Sequence, residues 1–179
     1  MRPIAEIHLK NLISNFNYIN SYSGNSKIMA VVKANAYGHG LLEISKTLEK
    51  NGVYGLCVAI AEELSTLRKS NINIPILHLG VLEEKKIELY ELKNNICTIN
   101  SINDIYLIKE FVSGNSKKIY CHLKFDTGMG RLGINYNQAE DIINLIKDTK
   151  EIHLGGIYSH FSSADEENNE FGQPVLSVS

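Results

Sequence analysis

Short apolar runs alternate with amphipathic ones along the whole chain. The runs KIMAVV (27–32), YGLCVA (54–59), PILHLG (75–80), NICTIN (95–100), KIYCHLKF (118–125) and HLGGIYSHF (153–161) have the length and composition of strands. Between them apolar residues recur at helical spacing. Ala139, Ile142, Ile143 and Ile146 fall at i, i+3, i+4 and i+7, and Leu12, Phe16 and Ile19 form a similar stripe. Weaker stripes run through Leu41, Ile44 and Leu48, through Ala61, Leu64 and Leu67, and through Ile105, Ile108 and Phe111. Asn51-Gly52 and Ser113-Gly114-Asn115 supply helix stops or turns. Repeated strand–helix units predict parallel strands with right-handed crossovers. Runs such as IMAVV, apolar at nearly every position, suit strands covered on both faces. Two architectures fit: an open doubly wound sheet, and a closed (β/α)8 barrel. At this strand spacing eight units would need roughly 200–250 residues, the usual barrel size. The chain holds about six units, so either the sheet is open or the barrel is incomplete.

Composition narrows the function classes. Of 179 residues, 44% are hydrophobic and 21% charged, which argues against both disorder and a membrane protein. A net charge of -2, with both signs interspersed, offers no footprint for nucleic acid or an anionic membrane. Cys57, Cys97 and Cys121 are odd in number and far apart. They indicate neither a disulfide framework nor a zinc site, and each reads as a small buried hydrophobe. The opening MRPIAEIHLK contains no long apolar signal, so a cytoplasmic protein is expected. The partner must be read from a site.

The sharpest local feature is VVKANAYGHG, residues 31–40. Lys33 directly follows an apolar strand, where an ammonium loses hydration. Desolvation favours the neutral amine, the form that attacks an aldehyde. In parallel α/β folds the C-terminal strand ends are where active sites form. The plainer reading is a lysine snorkelling out of a strand end. The second feature is KFDTGMGRLG, residues 124–133. Gly128, Gly130 and Gly133 match GxGxxG, and Asp148 lies about 20 residues on, so a nucleotide-binding module is one reading. The other uses the charges: Lys124, Asp126 and Arg131 cluster at a strand end, and Arg131 has the fork geometry to grip a carboxylate. A solvated loop salt bridge is the bland alternative. The third feature is YSHF, residues 158–161, which puts His160 at another strand end. His8, His78, His122 and His153 suggest no role.

Together the three segments resemble the alanine racemase family. That family carries VVKANAYGHG, KxDTGMxRxG and a strand ending in a THFxxADE-like run, in this order. AEIHLKNLISNFNYI, residues 5–19, is also similar to its first strand and helix, and the resemblance extends over about residues 3–167. It implies the barrel, with residues 1–170 forming the N-terminal part of the cofactor-binding domain. It implies pyridoxal 5'-phosphate as cofactor and alanine as substrate, D-alanine serving peptidoglycan. By this resemblance Lys33 would hold the cofactor as an internal aldimine and act as base on one face of the α-carbon. Tyr37 would lie near the phosphate and Val31 near the ring. Arg131 would contact the substrate carboxylate, Lys124 would be the lysine often carbamylated in the family, and His160 would belong to the hydrogen-bonding shell of the pyridine ring. A tyrosine from the partner subunit of a homodimer would serve the opposite face.

The family pattern would continue beyond residue 179 with further strands and a C-terminal β-domain. Residues 171–179 do not resemble that continuation. With the opposite-face tyrosine and the last barrel strands expected outside this chain, little or no activity is expected of it alone. A barrel protein that carries the cofactor without racemising anything is the remaining alternative. Serine and broader substrates also stay open.

Overall fold

The computed structural model describes residues 4–113 and 117–162. The chain divides into two compact units, Met1–Thr98 and Ile99–Ser179.

In the first unit, α1 (Leu9–Tyr22) leads into β1 (Met29–Val31). A single helical turn, α2 (Lys33–Tyr37), and the helix α3 (Leu41–Lys50) follow. Next come β2 (Gly55–Val58), α4 (Ala61–Lys69) and β3 (Ile76–His78). A 3-10 segment (Glu84–Glu91) precedes β4 (Asn95–Ile99). The strands are parallel and neighbours in chain order. Val31 pairs with Cys57, Val58 with His78, and His78 with Cys97. Every residue of β2 and β3 is buried, as expected for strands covered on both faces. Leu64 and Leu67 of α4 and Leu48 of α3 fill the layer against them. By contrast α1 buries none of its residues. Its stripe of Leu12, Phe16 and Ile19 instead lines an apolar groove beside Ile28 and Val31. Amphipathic spacing marks the face that can be covered, and says nothing of whether it is.

Two polar anchors hold this unit's loops. Arg68 donates from Nε to Asn95 Oδ1 at 2.6 Å, and from its terminal nitrogens to the carbonyls of Ile72, Ile74 and Asn94. Tyr90 and His78 meet in the core, both fully buried. The Nε2 of His78 lies 3.0 Å from the Ala59 carbonyl, which can only accept, so Nε2 carries the proton. Gly80 is required beside them: a Cβ there would stand 2.2 Å from the Ala59 oxygen.

In the second unit, α5 (Ile102–Val112) starts at a capping box. The Oδ2 of Asp104 accepts from the amides of Asn100 and Ser101 at 2.8 and 2.9 Å. Burial raises the Asp104 pKa, partly offset by these hydrogen bonds. The long strand β5 (Ile119–Asp126) is followed by the two-residue strand β6 (Ile134–Asn135), α6 (Ala139–Asp148) and β7 (Ile152–Tyr158). β5 is flanked by parallel partners, pairing Phe125 with Ile134 and Lys124 with Tyr158. A register shift at Cys121/His122 lets the His122 ring rest over Gly155 and Gly156 of β7. Ile105, Ile108, Ile119, Leu123 and Ile142 form this unit's core.

All three cysteines are buried thiols, and burial pushes Cys57 up to about 12. They behave as the hydrophobes expected. Among the described residues no helix is long and apolar enough to cross a membrane. The expected turn at Gly114-Asn115, the acidic run after Ser163 and the tail 171–179 lie outside the described residues.

Candidate active site

Lys33 stands two residues beyond the last residue of β1, after Val32, whose amide still donates to the Cys57 carbonyl of β2 at 2.9 Å. The side chain is half-buried at a strand's C-terminal end. The backbone then turns the wrong way for L-residues. Ala34, Asn35, Ala36 and Tyr37 have φ of 52°, 55°, 52° and 54°, all in the left-handed region. Left-handed geometry costs an L-residue roughly 1–2 kcal/mol, so four in a row need strong external support.

Hydrogen bonds supply that support. The Ala36 amide reaches back to the Val32 carbonyl at 2.8 Å, and the Gly38 amide to that of Ala34 at 3.0 Å. Asn35 Oδ1 accepts from the Leu41 amide at 2.8 Å, and His39 Nδ1 lies 2.8 Å from the Ala36 carbonyl. Glu63 of α4 adds a bond from outside the segment. Its Oε1 accepts from the Asn35 amide at 3.3 Å, and its Oε2 from the Ala59 amide at 3.0 Å. Gly38 and Gly40, with φ of 85° and 100°, carry the chain out into α3. Val31 is 43% exposed and Tyr37 59%, so both present uncovered surface at the same strand end as Lys33.

In the second unit a small cleft gathers Lys124, Asp126, Thr127, Met129, Arg131 and His160. Thus the unit brings together Lys124, Arg131 and His160, the residues singled out from two separate sequence segments. Lys124 is buried at 7% exposure, its Nζ 6.0 Å from the centre of the Tyr158 ring. Arg131 and His160 are exposed. The Asp126 carboxylate shapes the glycine loop by accepting from the amides of Gly128 (3.0 Å), Gly130 (3.1 Å) and Arg131 (3.1 Å). Those amides, Gly128 foremost, hold its pKa below the usual carboxylate value. The Ser159 hydroxyl donates to the Phe125 carbonyl at 3.0 Å and stands 2.6 Å from the Thr127 hydroxyl, joining the ends of β5 and β7 beside His160.

The glycines of GxGxxG do not open a helix. Gly133 leads into β6, where a Cβ would lie 2.7 Å from the Asp126 nitrogen, and α6 starts only at Ala139. Gly128 and Gly130, with φ of 134° and 66°, make the turn closed by Asp126. Asp148 is the last residue of α6 and not the end of a strand. The strand–turn–helix context a dinucleotide fingerprint needs is therefore missing. Glu63 and the Thr127–Ser159 pair were not singled out from sequence. The only signal for Glu63 is an acidic residue at the third position of a predicted helix.

Parallel strands followed by helical segments define an α/β protein, and the likeness to alanine racemases makes it one of the (β/α)8-barrel type. The family described as alanine racemase, N-terminal domain, matches residues 7–175. The chain belongs to the alanine racemase family. It is 36% identical over 174 residues to the alanine racemase of Carboxydothermus hydrogenoformans, covering 97% of this chain and 47% of that protein. It is 38% identical over 176 residues to that of Clostridium kluyveri, covering 95% and 44%. Among solved structures, alanine racemase of Clostridium difficile superposes with a TM-score of 0.84 at 36% identity, covering 94% of this chain and 46% of that one. A histidine racemase from Leuconostoc mesenteroides shares the fold at a TM-score of 0.83 and 25% identity, covering 91% and 44%. The chain thus spans under half the length of the relatives it matches.

Proposed function

We propose that this chain contributes to an amino-acid racemase that uses pyridoxal 5'-phosphate and acts on alanine, with Lys33 as the residue that holds the cofactor. One observation carries the reading: Lys33 is a half-buried amine at a strand end, followed by a strained turn that hydrogen bonds hold in place. The residues present fit the group. An amine suits its aldehyde, while uncovered Val31 and Tyr37 offer apolar surface to a planar ring and, through Tyr37, a hydroxyl to a phosphate.

When bound, the cofactor supplies an electron sink that makes loss of the α-proton tolerable. The chain's own residues do the rest. Lys33 Nζ takes and returns a proton on one face of the α-carbon. Arg131 binds the substrate carboxylate through its guanidinium fork. Lys124, buried in the same cleft, becomes an anion when carbamylated and then orients Arg131. His160 donates or accepts hydrogen bonds around the ring. Residues 1–170 form the N-terminal part of the cofactor-binding barrel. The opposite face needs a second acid–base group, which this reading assigns to a tyrosine across a homodimer. The protein works in the cytoplasm, where D-alanine is made for peptidoglycan.

The test is chemical. Borohydride reduction of the chain in pyridoxal phosphate is expected to fix the cofactor on Lys33, located by peptide mapping. No adduct, or one spread evenly over surface lysines, overturns the assignment. Alanine against histidine and serine, titrated spectroscopically into the chain loaded with pyridoxal phosphate, decides the substrate, since a relative of the same fold is a histidine racemase.

A further inference from the structure

We propose that Glu63 is a positioning residue for Lys33, its carboxylate holding the left-handed turn that sets the lysine at the end of β1. This rests on the reading of Lys33 given above. Glu63 is the third residue of α4, where an acidic side chain ordinarily reaches back to cap its own helix. One oxygen reaches back past the N-cap residue Ile60, accepting from the Ala59 amide. The other crosses to the Asn35 amide, 28 residues away in sequence and two residues after Lys33. A cap has no use for that second bond.

The bond falls where the turn needs it. The Asn35 amide lies inside the run of four left-handed residues, and among the described residues Glu63 of α4 is the side chain from outside that run and its flanking residues that accepts from it. Through Ala59 the same carboxylate is anchored at the end of β2, the strand beside β1, with Val31 paired to Cys57. Glu63 therefore references the turn after β1 to the end of the neighbouring strand. Without it the strained turn is free to relax, and Lys33 Nζ moves off its position. Misplacement of a reacting group by about 1 Å costs on the order of a hundred-fold in rate.

The experiment compares the full chain with E63A and E63Q. Circular dichroism and urea unfolding first establish that each variant folds. Amide exchange and borohydride trapping of pyridoxal phosphate at Lys33 are then measured, with trapping at exposed Lys10 as internal control. E63A is expected to lower the limiting rate of trapping at Lys33 about ten-fold or more, leaving Lys10 unchanged. Exchange at Asn35 and Gly38 is expected to rise about ten-fold, beyond any change in global stability. E63Q keeps the shape and one acceptor oxygen, so it should recover part of both effects. Trapping and exchange at wild-type values in E63A overturn the proposal, as does a loss matched at Lys10. If wild type itself shows no adduct at Lys33, the cofactor reading fails. Amide exchange then still decides whether Glu63 holds the turn, and unchanged exchange overturns that too. If E63A does not fold, E63Q carries the same comparison.

Discussion

The phenol of Tyr90 donates to Nδ1 of His78 across 2.6 Å in the buried layer of the β1–β4 sheet. With Nε2–H donating to the Ala59 carbonyl and Nδ1 accepting from the phenol, both nitrogens of a neutral imidazole are satisfied. Burial lowers the His78 pKa, the Ala59 hydrogen bond opposing it only in part, and drives the Tyr90 phenol upward.

That pair makes stability depend on pH in one direction. Above the unfolded value of about 6.5 His78 is uncharged in both states, and its contribution is fully present. As pH falls through that value toward the depressed folded one, the unfolded chain takes up a proton that the fold resists. Stability should therefore drop between neutral pH and pH 5, with His122, also lowered by burial, adding to the slope. Urea midpoints measured across this range, in wild type and in H78Q, check it. A variant that keeps the whole wild-type slope would remove His78 from the account.

Y90F leaves Nδ1 of His78 without its donor in a dry site. A loss of about 1–3 kcal/mol is expected, read as a shift in urea midpoint at constant m-value.

G80A forces a Cβ against the Ala59 carbonyl and the His78 ring, 2.2 and 2.7 Å away. Neither neighbour is a flexible side-chain tip, so the backbone must move. Destabilisation of about 1–3 kcal/mol or more is expected, measured by thermal melting. A variant melting at the wild-type temperature would show that β3 yields more easily than its packing indicates.

R68M removes a guanidinium that holds Asn95 and three carbonyls together. The half-buried site tempers the effect, and about 2–3 kcal/mol is expected from equilibrium unfolding. R68K should recover only part, because an ammonium cannot reproduce the fork.

D126N replaces one accepting oxygen of the glycine loop with an amide that donates. Amides of Gly128, Gly130 and Arg131 should exchange faster while the β5–β7 ladder stays protected. In wild type the loop's order belongs to the ionised carboxylate. It should persist below the usual carboxylate range and be lost only as the lowered Asp126 pKa is crossed, which carboxyl NMR titration can follow.

Sequence and structure agree where packing dictates the pattern. β2 and β3 are apolar runs because both faces are covered, and the stripe of Ile142 and Ile146 is the buried face of α6. They part where the determinant is not a pattern. Two residues, Ile134 and Asn135, are too few to announce a strand, so the glycines before them looked like a helix entry. KANAY contains two alanines, the best helix formers, and nothing in it states the hand of the turn. Lys124 and Arg131 were legible together because they bracket the end of β5, and His160 because it follows β7. Glu63 was not, since α4 opens with two adjacent glutamates and only the fold decides which one turns inward.

The turn after Lys33 has a consequence for chirality itself. The conformation it imposes on Ala34 and Ala36 is the relaxed one for the mirror-image residue. Semisynthesis with a D-alanine at either position should therefore strengthen this fold, where at almost any helical site it would break it.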